Sequence, residues 1–157
     1  LDQLTAATSP AATFAALFVA LFVAHQVADH WVQSSHQAAH KGKPGWEGRL
    51  ACLAHVASYT LCTTMAVLVV WLALDLPVTL GGVLLGQAVS AVTHYWADRR
   101  TTLATLAERL GLAGFYRLGA PREGRDDNPS LGTGAYALDQ SWHYLWLFVA
   151  ALITALV

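Results

Sequence analysis

Histidine and aspartate recur at a spacing of four residues in three of the four long apolar stretches of this chain. The pairs are His25 with Asp29, His94 with Asp98 and, in reversed order, Asp139 with His143, and the fourth stretch places Tyr59 four residues after His55. Residues four apart lie on one face of an α-helix, about one turn from each other. Because ionisable side chains are costly inside a membrane, their presence in apolar stretches predicts a functional site.

Imidazole and carboxylate groups together bind zinc, iron and manganese in proteins. The candidate metal ligands are His25, Asp29, His55, His94, Asp98, Asp139 and His143. These seven exceed the four ligands of one tetrahedral zinc ion, and the absence of cysteine from the pairs disfavours a thiolate zinc site. The surplus fits either two ions bridged by a carboxylate or one ion whose histidines are oriented by outer carboxylates. We expect a divalent metal, with zinc as the first choice and iron or manganese as alternatives.

The elements that carry these residues are predicted to be membrane-spanning helices. Only 12% of the 157 residues are charged and 55% are hydrophobic, whereas an average soluble domain is about 25% charged. Four stretches nearly free of charge each exceed the ~20 residues that cross a bilayer. We predict an all-α membrane protein with a single domain over residues 1–157. Its four-helix bundle has spans near 11–33, 50–74, 78–99 and 135–157, and its loops cover 34–49 and 100–134.

The first apolar stretch also has the length of a secretory signal peptide. It lacks a basic leader, and it runs into His25 and Asp29 rather than into a small-residue cleavage site. We therefore interpret it as a membrane span.

The basic residues predict the orientation of these spans. Eight of the nine Lys and Arg fall in the two predicted loops, and the ninth, Arg99, is the last residue of the third predicted span. The loop residues are Lys41, Lys43 and Arg49 in the first loop, and Arg100, Arg109, Arg117, Arg122 and Arg125 in the second. By the positive-inside rule these loops are cytoplasmic, and both termini lie outside, in a multi-pass protein of the bacterial inner membrane. This topology brings all four polar pairs into the cytoplasmic leaflet, which indicates one shared site.

The third predicted span carries a stripe of small residues in line with its polar pair. Gly82, Gly86, Ser90, His94 and Asp98 follow one another at intervals of four. Small residues in such a stripe allow a neighbouring membrane helix to approach closely. The packing face of this helix is therefore predicted to be the face that carries the metal ligands.

The loop after the third span is predicted to contain a short interfacial helix within 101–118. Leu103, Leu106, Ala107 and Leu110 have helical spacing, while Glu108 and Arg109 fall on the opposite side. Such a helix would form a roof over the site.

A metal site accounts for the polar pairs better than local pairing, proton transfer or haem ligation does. A histidine and an aspartate can pair on their own helix, but this does not account for four pairs at one depth. A proton path would spread along the membrane normal, and haem would use opposed histidines without so many carboxylates. Phosphate-binding glycine loops and serine nucleophile elbows are absent from the sequence.

The order of these motifs resembles a known family. The run from His25 to Gln33 (HQVADHWVQ) precedes Lys41 and His55, and then come the runs His94-Tyr-Trp-Ala-Asp98 and Asp139-Gln140-Ser-Trp-His143. Over nearly the whole chain this set resembles the bacterial and phage membrane proteins grouped as domain of unknown function 3307. The resemblance implies site roles for His25, Asp29, Gln33, His55, His94, Asp98, Asp139, Gln140 and His143. More distantly, the arrangement resembles inner-membrane proteins labelled metal-dependent hydrolases.

Three functions remain open from the sequence. The first is an enzyme in which metal-activated water attacks an ester or phosphoester of a lipid or membrane-delivered substrate. Its preferred ligands are His25, His94, His143 and Asp98, with Asp29 and Asp139 as ligand or general base and Tyr59 as acid or orienting group. The second is a metal-binding or transport protein, and the third is a structural metal site in a membrane interaction protein.

Transport ranks below the enzyme because few polar residues fall on the outer half of the predicted helices. The expected partners are membrane lipids, and an oligomer is compatible with the sequence. The net charge of −1 does not suggest a nucleic-acid partner.

Overall fold

The computed structural model describes residues 9–122, 124 and 132–157. These residues form seven α-helices and no strand: α1 (Pro10–Val27), α2 (Ser35–His40), α3 (Gly45–Leu74), α4 (Leu80–Asp98), α5 (Thr101–Arg109), α6 (Ala113–Tyr116) and α7 (Gly134–Leu156). A π-helical turn, Ala28–Val32, continues α1. The predicted all-α fold is thus confirmed. Part of the predicted second loop, including Arg125, lies outside the described residues.

The four long helices form a ring in which α1 and α4 each pack against both α3 and α7. The connection between α3 and α4 is short and turns at Asp75, which adopts a left-handed backbone conformation with a φ of 47°. We call the end of the ring where α1 and α4 end and α3 and α7 begin the site end. The opposite end is the far end, and the halves of the ring next to these two ends are called the site half and the far half.

Two helical segments of the described residues are long and apolar enough to cross a membrane, Pro10–Val32 and Gly45–Leu74. The other two long helices, α4 and α7, contain glycine, serine, glutamine, histidine, tryptophan and tyrosine among their apolar residues. These residue types lower the mean hydropathy of α4 and α7. By composition, therefore, α1 and α3 are more clearly recognisable as candidate membrane spans than α4 and α7 are.

The observed helices begin and end close to the predicted bounds, except in the first loop. There α3 begins at Gly45 instead of near residue 50, and the predicted loop 34–49 also contains α2. A capping box starts α2, because the Ser34 hydroxyl accepts from the Gln37 amide while the Gln37 side chain accepts from the Ser34 amide. In the second loop α5 is the predicted short helix, and it buries Leu103 and Ala107.

The far half of the ring is filled by an apolar core. Its fully buried members include Leu17 and Leu21 of α1, Val67 of α3, Val83 of α4 and Leu147 of α7. Side chains of this kind exclude water from the space between the helices.

The contact between α4 and α7 is the most extensive one in the ring. A Cβ atom on Gly86 would lie 2.2 Å from Thr154 Oγ1 and 2.8 Å from the carbonyl oxygen of Ala150. The whole predicted stripe from Gly82 to Asp98 is buried. The face of α4 that packs closely at Gly86 is the face on which His94 and Asp98 are buried. The prediction that the packing face of this helix also carries the polar pair is therefore confirmed.

Candidate metal centre

Four different helical segments deliver the predicted ligands to the site end. His25 lies in the last turns of α1 and Asp29 in the π-turn, whereas His55 lies in α3. His94 and Asp98 end α4, while Asp139 and His143 lie near the beginning of α7. The imidazole rings pack on one another, with centroids 4.2 Å apart for His94 and His143 and 5.1 Å apart both for His25 and His143 and for His55 and His94. All seven candidate ligands therefore meet in one cluster.

The tightest group in this cluster consists of His55, His94 and Asp98. The two histidine Nε2 atoms are 3.0 Å apart, and each lies 3.2 Å from Asp98 Oδ2. Ligand atoms about 2.0–2.1 Å from a tetrahedral zinc ion are separated by roughly 3.3 Å from one another. The three atoms thus have the spacing of one face of a zinc coordination tetrahedron, and all three residues are buried.

Two further groups share residues with this one. Ligand atoms of His25, Asp29 and His94 approach within 4.8 Å of one another, and so do those of Asp98, Asp139 and His143. Asp29 Oδ1 also lies 3.4 Å from His55 Nε2 and 3.6 Å from His94 Nε2. Asp29 is therefore a fourth donor beside the tightest group.

Two of the three His–Asp pairs do not close on their own helices, and the third, His94 with Asp98 at 3.2 Å, also contacts His55 of α3. His25 Nδ1 and Asp29 Oδ2 are 3.7 Å apart, as are His143 Nδ1 and Asp139 Oδ2. Asp29 lies closer to His55 of another helix than to His25 of its own segment. The pairs act as contacts between helices, which favours a shared site over four local ones.

Two of the histidines are oriented by hydrogen bonds on one ring nitrogen. His143 Nδ1 donates to the carbonyl oxygen of Asp139 at 2.7 Å, because that oxygen can only accept. His25 Nε2 lies 3.4 Å from the side-chain oxygen of Gln140, which also accepts from the Tyr144 hydroxyl. The nitrogens left free are His143 Nε2 and His25 Nδ1, and fixing one nitrogen in this way prepares the other as a ligand.

Several buried polar atoms in the cluster have no hydrogen-bond partner among the described residues. They are His25 Nδ1, Asp29 Oδ1, His55 Nδ1, His94 Nδ1, Asp98 Oδ2 and His143 Nε2. A buried polar group without a partner costs about 1–3 kcal/mol. In the tightest group a cation would satisfy Asp98 Oδ2, whereas the atoms that His55 and His94 contribute to that group are Nε2 and not these Nδ1 atoms.

Tyr59 supports the cluster from below. Its ring stacks on His94 with centroids 3.8 Å apart, and its hydroxyl hydrogen-bonds with the Ser90 hydroxyl at 2.8 Å. The hydroxyl is thus engaged by Ser90, so of the two roles predicted for Tyr59, acid or orienting group, this geometry suits the orienting group.

A cavity of about 530 Å³ lies above the cluster at the site end. The carboxylates of Asp29, Asp98 and Asp139 line it together with Lys41 and Arg100. A larger apolar groove of about 830 Å³ runs along α1 and α3, but Cys62 is its only titratable lining residue. The smaller cavity is therefore the one that is lined by side chains able to bind a metal or take part in a reaction.

Lys41 is a site residue to which sequence reasoning assigned no role. Its ammonium lies 2.8 Å from Asp98 Oδ1, and the residue is buried. The Arg99 guanidinium donates to the carbonyl oxygens of Lys41 and Lys43 and thereby fixes the loop between α2 and α3. The sequence signal for Lys41 is its place in the motif order that resembles the family, because no spacing rule connects Lys41 with Asp98, which lies far away along the chain.

Gly48 allows this loop to lie flat on the first turn of α3. A Cβ atom at this position would lie 2.0 Å from the Lys43 carbonyl oxygen and 3.1 Å from Arg99 Nη1. Since the obstacle is backbone, it cannot rotate away. The loop conformation that brings Lys41 to Asp98 thus depends on a glycine here.

The family model described as "Protein of unknown function (DUF3307)" matches residues 17–157. The chain belongs to this family. The match includes every candidate ligand, so the predicted family resemblance is confirmed. No curated protein and no solved structure is detectably similar to this DUF3307 member.

Proposed function

We propose that this chain is a four-span membrane protein that binds a divalent metal, zinc as first choice, and uses it as a metal-dependent hydrolase. The observation that carries the proposal is the group formed by His55, His94 and Asp98, whose ligand atoms lie 3.0–3.2 Å apart under an open cavity. Imidazole and carboxylate donors at this spacing fit zinc, and iron or manganese is the alternative.

Exposed apolar side chains support four spans rather than two. They occur on all four long helices: Val19 and Val23 of α1, Leu61 and Leu72 of α3, Leu84 and Val92 of α4, and Leu145 and Phe148 of α7. At 1.5 Å per residue α4 and α7 are roughly 28 and 34 Å long, which matches a hydrocarbon core of about 30 Å. Lipid around the whole ring accounts for these side chains.

The contact between Lys41 and Asp98 favours one metal ion over two. Asp98 Oδ2 faces the two histidines, whereas Oδ1 is already engaged by the Lys41 ammonium. A second ion bridged by this carboxylate would have to displace a buried cation. Lys41 thus occupies the Asp98 oxygen that an ion bridged by this carboxylate would need.

The two ends of the ring favour an enzyme over the other functions. A structural metal site is closed by protein ligands, but this cluster opens into a cavity. A transporter needs a polar route through the membrane. In the far half Leu17, Leu21 and Leu147 are buried in the apolar core, and the buried polar residues Thr63, Gln87 and Thr154 are hydrogen-bonded within the protein. A metal site that opens into a cavity on one side can admit a substrate and water without a route across the membrane.

Residues of the chain have defined roles in this proposal. A divalent ion supplies Lewis acidity, which makes water a stronger nucleophile and polarises an ester oxygen. Asp139 is partly exposed in the cavity, at 28% of its side-chain surface, and it accepts a hydrogen bond from the Gln140 amide. It is the carboxylate best placed to take a proton from a substrate or water.

Metal analysis of the detergent-purified chain tests the site. We expect one equivalent of metal in the wild type and in His36→Ala, whose exposed histidine is a matched control in α2. His94→Ala and Asp98→Asn should lose it. Wild-type protein without stoichiometric metal would refute the proposal.

Hydrolysis of generic ester and phosphodiester probes by the metal-loaded chain tests the activity. Asp139→Asn should keep the metal and lose at least tenfold in turnover. Equal turnover in Asp139→Asn and wild type would remove Asp139 from the reaction.

Single-cysteine labelling tests the orientation. In a background without Cys52 and Cys62, a cysteine at Ser35 should be labelled only from the cytoplasmic side and a cysteine at Asp75 only from the outside. The two positions flank α3, so labelling of both from one side would contradict a membrane span between them and with it the proposed topology.

A further inference from the structure

The cavity above the metal centre contains cationic groups that metal binding does not require. Lys41 and Arg100 line it beside the hydroxyl-bearing residues Tyr116 and Tyr136. The Tyr116 hydroxyl is a neutral donor at pH 7, since the ordinary pKa of tyrosine is about 10 and burial raises the pKa of this group further. Metal ligands supply lone pairs to the ion, whereas Lys41, Arg100 and the tyrosine hydroxyls are hydrogen-bond donors.

Lys41 and Arg100 retain donors after their contacts within the protein are counted. The Lys41 ammonium has three hydrogens, and Asp98 Oδ1 uses one of them. The Arg100 guanidinium has five, and one is donated to the carbonyl oxygen of Ala38 at 3.1 Å. Both residues can therefore bind an anion without losing the contacts that hold them.

Backbone strain accompanies the placement of Arg100. Its φ of +56° lies in a region that residues other than glycine rarely adopt. Strain of this kind persists where the surrounding structure enforces it, often at functional sites. Arg100 lies in the two-residue connection between α4 and α5, and it lines the cavity.

The charges of the cavity make anion binding conditional on the metal. With histidines neutral, Asp29, Asp98 and Asp139 outweigh Lys41 and Arg100 by one negative charge. A divalent cation reverses this balance to one positive charge. An anion is thus repelled from the empty cluster and attracted to the loaded one.

We infer that the cavity binds the phosphoryl group of a phosphate ester, held between the metal and the side chains of Lys41 and Arg100. The inference rests on the proposed function, because it requires the metal. Three separate cationic groups suit a tetrahedral group with three or four oxygens better than a planar carboxylate with two. A volume of about 530 Å³ has room for a head group or a small soluble phosphate.

The test is a titration of the metal-loaded chain in detergent with inorganic phosphate, after its metal content has been measured. We expect saturable binding by the loaded wild type, at least tenfold weaker binding by Lys41→Gln and Arg100→Gln, and recovery in Lys41→Arg. Lys43→Gln, an exposed lysine of the same loop, should bind like the wild type. Acetate should bind at least tenfold more weakly than phosphate.

A second titration, with a short-chain phosphatidate, distinguishes the source of the phosphoryl group. Tighter binding than inorganic phosphate identifies a lipid head group, and equal or weaker binding identifies a soluble phosphate. Either result supports the inference, since the same group is recognised.

Four results with loaded protein would overturn the phosphoryl site while leaving the metal centre intact. They are no phosphate binding, equal binding without metal, equal binding of acetate, and equal binding by Lys41→Gln and Lys43→Gln. Protein that takes up no metal refutes the proposed function and this inference together. If Lys41→Gln does not fold, Arg100→Gln and Lys41→Arg decide the outcome.

Discussion

The two halves of the helix ring treat buried polar groups in opposite ways. In the far half, Thr63 donates to the Gln87 side chain, and Thr154 donates to the carbonyl oxygens of Ala150 and Gly82. Thr13 Oγ1 and Trp146 Nε1, which neighbours Leu147, are exceptions, since both are buried without a hydrogen-bond partner among the described residues. In the site half, each of the four histidines leaves a buried nitrogen without a hydrogen-bond partner. The far half is built for stability, whereas the site half gives up stability for an arrangement of ligands.

The largest effect that separates the halves is expected from truncation of the apolar core. Leu17→Ala removes a fully buried side chain of the far half and should lower the free energy of unfolding by about 2–5 kcal/mol. Metal affinity at the other end should stay within a factor of two. Unfolding of the detergent-purified protein and metal titration measure the two quantities.

Val19→Ala is the matched control for this truncation, because Val19 lies on the exposed side of the same helix. It should cost less than about 0.5 kcal/mol. Parallel loss of stability and metal affinity in Leu17→Ala would show that the halves are not independent.

The next largest effect is the stabilisation of the site half by metal. Zinc at one hundred times its dissociation constant should stabilise the wild type by about 2.7 kcal/mol, and a chelator should reverse this. The shift in unfolding midpoint with zinc should persist in Leu17→Ala and vanish in Asp98→Asn. A zinc-dependent shift of equal size in Asp98→Asn would place the binding site elsewhere.

A methyl group at the contact between α4 and α7 should affect both halves. Gly86→Ala brings a Cβ atom against the Ala150 carbonyl oxygen, so we expect a loss of about 1–3 kcal/mol. Metal affinity should fall as well, because α4 carries His94 and Asp98. Gly81→Ala serves as the control, since its nearest neighbour would be 3.7 Å away. Equal stability of the two variants would contradict the close packing.

The smallest effect on the free energy of unfolding is expected from replacing a buried histidine of the site half by an apolar residue. His55→Leu replaces a fully buried polar residue by an apolar one of similar size. In metal-free protein the free energy of unfolding should change by less than about 1 kcal/mol or increase, since an apolar side chain needs no partner. A loss as large as that of Leu17→Ala would instead identify the cluster as a self-sufficient hydrogen-bond network.

The sequence predicted the helices and the membership of the cluster better than the contacts inside it. Spacing of four residues identified His25, His94 and His143, because a helix face can be read from one segment. It ranked His55 below them, yet His55 lies nearest to His94 and Asp98. Which histidines approach across helices depends on how the ring closes, and no single segment contains that information.

The first loop shows the same limit. The capping box at Ser34 and Gln37 is readable from the sequence and could have predicted α2. The contact of Lys41 with Asp98 could not, because it depends on Arg99, Gly48 and the path of a loop between two helices. Local chemistry specifies elements, while long-range contacts specify the site.

The π-turn after α1 determines the direction of the chain between Asp29 and the loop that carries Lys41. The Gln33 amide donates to the Ala28 carbonyl oxygen, five residues back, so this turn contains one residue more than an α-helical turn. Removing one residue after Asp29 would restore α-helical pairing and rotate the following chain by about 100°. Asp29 would keep its face, but α2 and the loop with Lys41 would begin in another direction. The single extra residue of the π-turn therefore sets the direction in which the chain continues from Asp29 toward Lys41. In this way it determines how the cationic group of Lys41 is placed relative to the metal centre.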